Sequence, residues 1–286
     1  MAIRQFKIPG KIINGSPSTI TTGNPGAFGL DLNNTAGLTV RMDDLNGGIA
    51  NSKVTIFLWY HPLAAPVSTP DYLFIVRAPF ADEGSTNSAM ELAVNTNLSL
   101  ALNTDESKQA PANTSLRFTT PASVLTLNAW NSIMISLDYT EALVDDAVKF
   151  YVNDTQMVNQ EGLPQYETGE IAFDRTNCTW DFYYGPQITP TLDGYVSDVW
   201  ADIGTFMDFD NSANRRLFID ATGRPVNLGA FGQGPTGTNP TLYLANPAGL
   251  YNINNSGNAN FRFYNGTIDV NAFTAAGTDP ATGTLA

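Results

Sequence analysis

The chain has 286 residues, of which 14% are charged, and its formal net charge is -13 at pH 7. Nucleic-acid binders gain most of their affinity by neutralising phosphates with Lys and Arg, so this charge excludes DNA and RNA as expected partners. No apolar run reaches the roughly 20 residues that cross a bilayer, which excludes a membrane as a partner. Abundant Gly, Pro, Asn and Thr between short apolar runs favour an all-β protein.

Residues 1–25 are predicted to form an N-terminal arm outside the main domain. They combine basic positions with apolar alternation, followed by a run of Ser, Pro, Thr and Gly. A lone strand cannot bury a face, so we expect this arm to pair with an edge of its own domain or of a neighbouring subunit. The alternative is a partly disordered leader. The candidate partner-contacting residues are Arg4, Phe6, Lys7, Ile8 and Lys11.

Short strand candidates recur from residue 38 onward. Their regular spacing, with turn residues between them, is typical of a sandwich or jelly roll. The predicted strands are 38–42, 54–60, 72–77, 90–94, 98–102, 115–118, 133–138, 148–153, 170–173, 179–184 and 195–201.

One predicted hairpin joins the stretch W-N-S-I-M-I-S-L-D at 130–138 to V-K-F-Y-V-N-D at 148–154. Side chains of a strand alternate between its two faces, so Ile133, Ile135 and Leu137 are expected to share one face. Ser132, Met134 and Ser136 are expected on the other face. The pair Asn153-Asp154 suits a tight turn after the second strand.

The stretch 192–244 has the most definite organisation in the chain. It contains D-G-Y-V-S-D-V-W at 193–200, N-R-R-L-F-I-D-A-T-G-R-P-V-N-L-G at 214–229 and P-T-G-T-N-P-T-L-Y-L at 235–244. Asp210 and Asn211 predict the entry of one short helix, because Asp and Asn side chains accept hydrogen bonds from unpaired amides at helix starts. Gly223-Arg224-Pro225 predicts its end.

These three motifs and the 130–154 hairpin resemble concanavalin A-like sandwich domains of the laminin-G type, in the variant common in bacteriophage structural proteins. The resemblance implies a single antiparallel β-sandwich, a concanavalin A-like jelly roll, over residues 26–248. We expect the arm 1–25 before it and a C-terminal β extension and tail over 249–286. In that extension Asn265-Gly266 predicts a hairpin, and the last dozen residues are expected to stay flexible or to become ordered against a partner.

A catalytic constellation is not found in the sequence. Sandwich glycosidases place paired carboxylates on one strand, whereas Glu167 and Glu170, three residues apart, would point to opposite faces of a strand. The only histidine, His61, and the only cysteine, Cys178, are each interpreted as structural, because neither has a plausible partner group. We therefore predict that the chain is not an enzyme.

No cofactor is predicted, although two ligand classes stay open. The acidic residues Asp193, Asp198, Asp202, Asp208 and Asp210 make a Ca²⁺ site an alternative, since Ca²⁺ takes six to eight oxygen ligands. The metal ligands are left undetermined, and Asp210 is better explained as a helix cap. Aromatic rings can stack on sugars, but on strands they more often belong to the core. The aromatic candidates are Trp59, Trp180, Tyr183 and Tyr184.

The predicted function is that of a non-catalytic bacteriophage virion structural protein, such as a capsid decoration, a head-fibre subunit or a tail component. The expected partners are other virion proteins and further copies of the chain. The N-terminus lacks the apolar core of a secretory signal, so we expect synthesis in the host cytoplasm and localisation in the virion. The alternative is a tail-associated receptor- or glycan-binding module that binds a surface glycan, and a glycoside hydrolase ranks below it.

Overall fold

The computed structural model describes residues 30–31, 38–41, 47–67, 71–77, 88–105, 114–160, 166–173, 178–182, 193–229, 232–244, 262–263 and 286. Within these ranges the chain forms two antiparallel sheets that pack face to face, with two helices of a single turn each. The predicted all-β antiparallel sandwich is confirmed. The described part of the chain contains no helix long and apolar enough to span a membrane.

Sheet A contains seven strands, namely β1 (Leu30–Asp31), β3 (Lys53–Pro62), β8 (Asn131–Asp138), β9 (Val148–Val152), β10 (Thr155–Gln156), β12 (Gly194–Ile203) and β13 (Leu242–Leu244). Their order is β1-β12-β3-β8-β9-β10, and β13 also pairs with β12. Helix α1 (Val144–Ala147) lies between β8 and β9, in a turn where no helix was predicted.

Sheet B also contains seven strands, namely β2 (Leu38–Arg41), β4 (Asp71–Arg77), β5 (Ser88–Val94), β6 (Leu100–Asp105), β7 (Thr114–Thr119), β11 (Thr179–Phe182) and β14 (Arg262–Phe263). Their order is β14-β2-β11-β4-β5-β6-β7. The segment 170–173, predicted as a strand, forms only a bridge between Ile171 and Asn51.

The main core lies between the two sheets. Period-two alternation turns Ile133, Ile135 and Leu137 of β8 toward it, and each is fully buried. They pack with apolar residues of β3 and of sheet B, including Phe74 and Trp180, whose ring centroids lie 5.6 Å apart. The predicted face assignment of the 130–154 hairpin is therefore correct. Cys178 is buried in the same core.

A second core covers the outer face of sheet A. Phe57, Trp59 and Trp200 alternate with main-core residues on β3 and β12 and pack outward against the segment 204–244. The ring of Phe218 lies 4.9 Å from that of Phe57 and 5.2 Å from that of Trp200. Trp200 Nε1 donates to Gly232 O at 2.8 Å. The segment 204–244, which ends in β13, thus forms a covering layer over the outer face of sheet A. Every residue of β8 is buried, because this strand has a core on each of its faces.

The covering layer contains the predicted helix as α2 (Ser212–Arg215), a single turn that ends eight residues before Gly223, where its end was predicted. Its cap is Asn211, whose Oδ1 accepts from Ala213 N at 3.0 Å. The prediction that Asp210 caps this helix is wrong, because its carboxylate points to sheet A instead. Asp220 closes the following turn by accepting from the amides of Thr222 and Arg224.

The C-terminal segment contacts the chain's own sandwich at both places where it is described. Strand β14 pairs with β2 at the edge of sheet B. The backbone N of Ala286 donates to Trp130 O at 3.1 Å. The hairpin predicted at Asn265-Gly266 lies outside the described residues, as does the N-terminal arm.

Candidate functional site

The predicted partner-contacting residues Arg4, Phe6, Lys7, Ile8 and Lys11 all lie outside the described residues. Their role in binding a neighbour stays a prediction. The described surface offers three regions where a ligand or partner could bind: the covered side of sheet A, the ends of the sandwich and the outer face of sheet B.

On the sheet A side, an ionic clamp fixes the covering layer to β9 and to the turn that follows it. Lys149 Nζ lies 2.6 Å from Asp210 Oδ2, and Tyr151 OH donates to Asp210 Oδ1 at 2.8 Å. Arg215 Nε donates to Asp154 Oδ1 at 2.5 Å, and Arg216 binds the other oxygen of the same carboxylate. The guanidinium of Arg215 also lies over the Tyr151 ring, 4.6 Å from its centroid.

The clamp shifts the acidity of its members. Burial favours the neutral form of Asp154, but the hydrogen bonds from Arg216 and Arg215 outweigh it and hold the pKa of Asp154 below its ordinary value. The pKa of Asp210 is likewise lowered, because Lys149 and Tyr151 outweigh the effect of burial. Burial, together with the hydrogen bond to Asp210, raises the pKa of Tyr151 to about 12. The side chains of the clamp are thus engaged in contacts within the protein.

Three of the five aspartates considered for Ca²⁺, namely Asp202, Asp208 and Asp210, make separate structural contacts. Asp202 accepts from Thr205 Oγ1 at 2.6 Å and from Thr241 N at 3.0 Å. Asp208 Oδ1 accepts from Asp210 N at 3.0 Å. Among the described residues, no group of three or more His, Cys, Asp or Glu side chains is placed to hold a metal ion. The described geometry therefore gives no support to the Ca²⁺ alternative.

The aromatic and histidine candidates are core residues. Trp59 and Trp180 are each at most 1% exposed, while Tyr183 and Tyr184 lie outside the described residues. His61 is buried, with its ring 5.2 Å from the Trp130 ring, and burial lowers its pKa.

Glu167 and Glu170 are exposed on a loop at one end of the sandwich. Gly169 N donates to Tyr139 O at 3.0 Å and Tyr166 OH donates to Glu141 O at 2.7 Å, which ties this loop to the turn after β8. The two carboxylates thus stand on a surface loop, away from the His61 ring at the far end of β3.

The outer face of sheet B carries a cross-strand row of polar side chains that was not predicted. The strand registers pair Glu91 of β5 with Asn103 of β6, and Asn103 with Arg117 of β7. Asn103 Nδ2 donates to Glu91 Oε1 at 2.8 Å. The row continues across β4 and β11 through Ile75 and Asp181, which are buried, so the accessible part is the one on β5 to β7.

The neighbouring positions make this part of the face shallow and rigid. The adjacent row consists of Ala93, which is buried, and of Ala101 and Thr119, which are half-buried and have short side chains. The outer edge of β7 is occupied, because Asn159 donates to Arg117 O at 3.0 Å and accepts from Thr119 N at 3.0 Å. We call the residues Glu91, Asn103 and Arg117 the polar platform.

Each platform residue stands between two buried neighbours in its strand, as in M-E-L, L-N-T and L-R-F. This alternation was visible in the sequence. The registers that align the three residues were not, because they depend on the turn at 95–99 between β5 and β6 and on the stretch 106–113 between β6 and β7, where no turn motif in the sequence fixes the pairing.

No protein-family model matches the chain, and no curated protein matches its sequence. Among solved structures, it is similar to a native heptameric SAP-like pentraxin from Limulus polyphemus, with 12% identity and a TM-score of 0.42 over 80% of this chain and 86% of the other. It is similar to a protein from Bacteroides ovatus described as carbohydrate-binding, with 13% identity and a TM-score of 0.44 over 77% of this chain and 51% of the other.

A third similar structure is the CBM40 of an IT-sialidase from Ruminococcus gnavus bound to α2,3-sialyllactose, with 13% identity and a TM-score of 0.39 over 56% of this chain and 80% of the other. The chain spans about half of the Bacteroides ovatus protein and most of the other two.

Proposed function

We propose that this chain is a non-catalytic structural protein of a bacteriophage virion, carried as a capsid decoration, a head-fibre subunit or a tail-associated subunit. The proposal starts from the resemblance of the 130–154 hairpin and the three motifs in 192–244 to concanavalin A-like sandwich domains of bacteriophage structural proteins. The observation that carries it is that these motifs build the covering layer and the strands beneath it. Trp200, Phe218 and Tyr243, one from each motif of 192–244, all belong to the second core.

The polar members of the same motifs act inside the protein. Arg215 and Arg216 bind Asp154, and Asp220 closes the turn at Thr222 to Arg224. Contacts of this kind stabilise the fold. The motifs are therefore determinants of a folded scaffold, which supports a structural role.

The proposed partners are other virion proteins and further copies of the chain. Residues 1–29 contain three basic and no acidic side chains, whereas the whole chain has a net charge of -13. Opposite charges steer association and favour a correct partner over wrong ones. A basic arm on an acidic body suits contact with the acidic surface of a neighbouring copy.

Quantitative mass spectrometry of density-gradient-purified particles tests this proposal. We expect the chain to co-purify with the particles at a fixed ratio to the main capsid or tail protein, and to stay bound after high-salt washing. Recovery of the chain only in the soluble fraction of the lysate would reject a virion role.

A second candidate function is favoured by the polar platform. We propose that it binds a glycan, because Glu91 and Asn103 place a carboxylate and an amide side by side on a flat sheet face. Sugar hydroxyls both donate and accept hydrogen bonds, so an acceptor and a mixed donor-acceptor group can bind neighbouring hydroxyls. Ala101, next to Asn103's row, has a short and half-buried side chain that leaves room for a sugar ring.

A printed glycan array, followed by titration of the best-binding glycan, tests this candidate. Glu91→Ala is expected to weaken binding at least about tenfold, since a hydrogen bond to a charged group contributes about 1.5 to 3 kcal/mol, and Asn103→Ala up to about tenfold, since a neutral hydrogen bond contributes about 0.5 to 1.5 kcal/mol. Thr155→Ala, at an exposed position of β10 on sheet A, is the matched control and should bind like the wild type. Absence of any glycan binding would reject this candidate and leave the virion proposal standing.

A further inference from the structure

Arg117 differs from the other cations in the described part of the chain. Six Lys and Arg side chains are described there: Lys53, Arg117, Lys149, Arg215, Arg216 and Arg224. Three carboxylates neutralise four of them: Asp138 binds Lys53 at 2.7 Å, Asp210 binds Lys149, and Asp154 binds Arg215 and Arg216.

The fifth cation, Arg224, lies beside Asp220, where it helps to lower the pKa of that carboxyl group. Arg117 is exposed, and among these six described side chains it alone has no carboxylate partner. The chain has 27 acidic residues and only 14 Lys and Arg, so carboxylates that could pair with an exposed cation are in excess. Its charge is left available on the sheet face.

The fold keeps Arg117 apart from the nearest carboxylate of its own row. Glu91 stands two strands away, and adjacent strands are about 4.8 Å apart, so the two charged positions are separated by about 10 Å. Glu91 Oε1 is held by Asn103 Nδ2 at 2.8 Å, and Asn103 stands between the two charges. The row therefore runs from the Glu91 carboxylate, which Asn103 binds, to the guanidinium of Arg117.

The backbone under Arg117 is fixed on both sides. Strand β6 pairs with β7 on one edge, and the Asn159 amide contacts Arg117 O and Thr119 N on the other. A cation on a sheet that is paired on both edges loses less freedom on binding than one on a loop. Its guanidinium offers a planar fork of N–H donors, which matches the two oxygens of a carboxylate.

We infer that the polar platform selects glycans that carry a carboxylate, with Arg117 binding the carboxylate and Glu91 and Asn103 binding hydroxyls of the same or the next sugar. This inference depends on the glycan-binding candidate above. The chemical class of the ligand is an acidic polysaccharide whose units have one carboxylate, such as a uronic acid. A single guanidinium on a protein with a net charge of -13 can bind one planar carboxylate at short range.

The test uses an array with matched neutral, carboxylated and sulfated versions of the same glycans, then calorimetric titration of the best carboxylated glycan and its neutral partner. The full-length wild type is compared with Arg117→Gln, Arg117→Lys and Ser212→Glu. Ser212 lies in the exposed first turn of α2 on the opposite side of the sandwich. Ser212→Glu changes the net charge by the same amount as Arg117→Gln, at a helix start that tolerates an acidic residue.

We expect the carboxylated glycan to bind more tightly than its neutral partner, and Arg117→Gln to remove this preference with about a tenfold to hundredfold loss of affinity. Arg117→Lys keeps the positive charge but not the planar pair of N–H donors, so its affinity for the carboxylated glycan should lie between those of the wild type and Arg117→Gln. Ser212→Glu should bind like the wild type. Far-ultraviolet circular dichroism checks that each variant is folded.

Four results would overturn the inference. Equal binding of neutral and carboxylated glycans, or binding of Arg117→Gln with wild-type affinity, would remove Arg117 from the site while the glycan-binding candidate stands. Binding of sulfated glycans alone would assign a different ligand class. No binding to any glycan on the array would reject the glycan-binding candidate itself, and the inference with it.

Discussion

Ile135 is the residue on which the register of the central hairpin depends. It is fully buried between the sheets, opposite Ile56 of β3 and Phe150 of β9. A shift of one residue would exchange it for Met134 or Ser136, which contact the covering layer instead. Both faces of β8 are thus specified by different side chains, which fixes one register.

We expect Ile135→Ala to lower the free energy of unfolding by about 2 to 5 kcal/mol, the range for removing a large aliphatic side chain from a packed core. Leu143→Ala is the matched control, because Leu143 is 65% exposed and surface changes stay within about 0.5 kcal/mol. Urea unfolding followed by fluorescence measures both. Equal stability of the two variants would show that Ile135 does not face the core.

At the same scale, the sequence indicated the helix start in the covering layer but not which side chain caps it. Asp210 and Asn211 are adjacent and both are good caps. Asn211 takes the cap, while Asp210 is drawn to Lys149 and Tyr151, which are some 60 residues earlier in the chain. The cap preferences of Asp and Asn could not predict which of them caps the helix, because the choice depends on the long-range pair of Asp210 with Lys149.

At the scale of elements, the covering layer closes the outer face of sheet A. Four ionic and hydrogen-bonded contacts of Asp154 and Asp210 fasten it to β9 and the adjoining turn, above an aromatic core. Both carboxylates have a lowered pKa in the folded protein. A group of this kind adds stability above its unfolded pKa and loses it as the pH falls through the folded value.

We therefore expect the free energy of unfolding to decrease as the pH falls below about 4, the ordinary pKa of an Asp carboxyl group. Asp154→Asn should make this decrease shallower and should speed hydrogen exchange in 208–219 at neutral pH. Asp146→Asn, at an exposed position of α1, is the control for the loss of one carboxylate. A pH dependence identical to that of the wild type in Asp154→Asn would mean that the clamp does not contribute.

The sequence predicted the strands of the sandwich better than it predicted the covering layer. Alternation located β8 and β9, and turn residues marked their ends. The run V-T-I-F-L-W-Y at 54–60 is nearly continuous in apolar residues, which indicates burial on both faces. That signal pointed to a covered sheet, but which segment covers it depends on contacts between Phe57 and Phe218, far apart in the chain.

At the scale of the whole molecule, the two sheets have different surroundings. The outer face of sheet A is closed by the covering layer, whereas the outer face of sheet B presents the polar platform. The described parts of the C-terminal segment pack on the chain's own sandwich. We therefore propose that the N-terminal arm, whose sequence is basic, makes the contacts with a neighbour.

Deleting residues 1–23 should leave the sandwich folded but reduce incorporation into particles, because the arm supplies backbone pairing and positive charge to a neighbour. Arg4→Gln, Lys7→Gln and Lys11→Gln combined should reduce incorporation less than the deletion does, since they remove charge alone. Incorporation is measured by mass spectrometry of particles from complemented infections. Full occupancy by the deleted protein would exclude the arm from assembly.

The most direct test of the virion assignment is a cryo-EM reconstruction of intact particles from the source lysate. We expect repeated density on the capsid or tail into which the two-sheet sandwich and its covering layer fit, with connecting density from Leu30 toward a neighbouring subunit. Particles without such density, from a lysate in which the chain is abundant, would contradict a structural role in the virion.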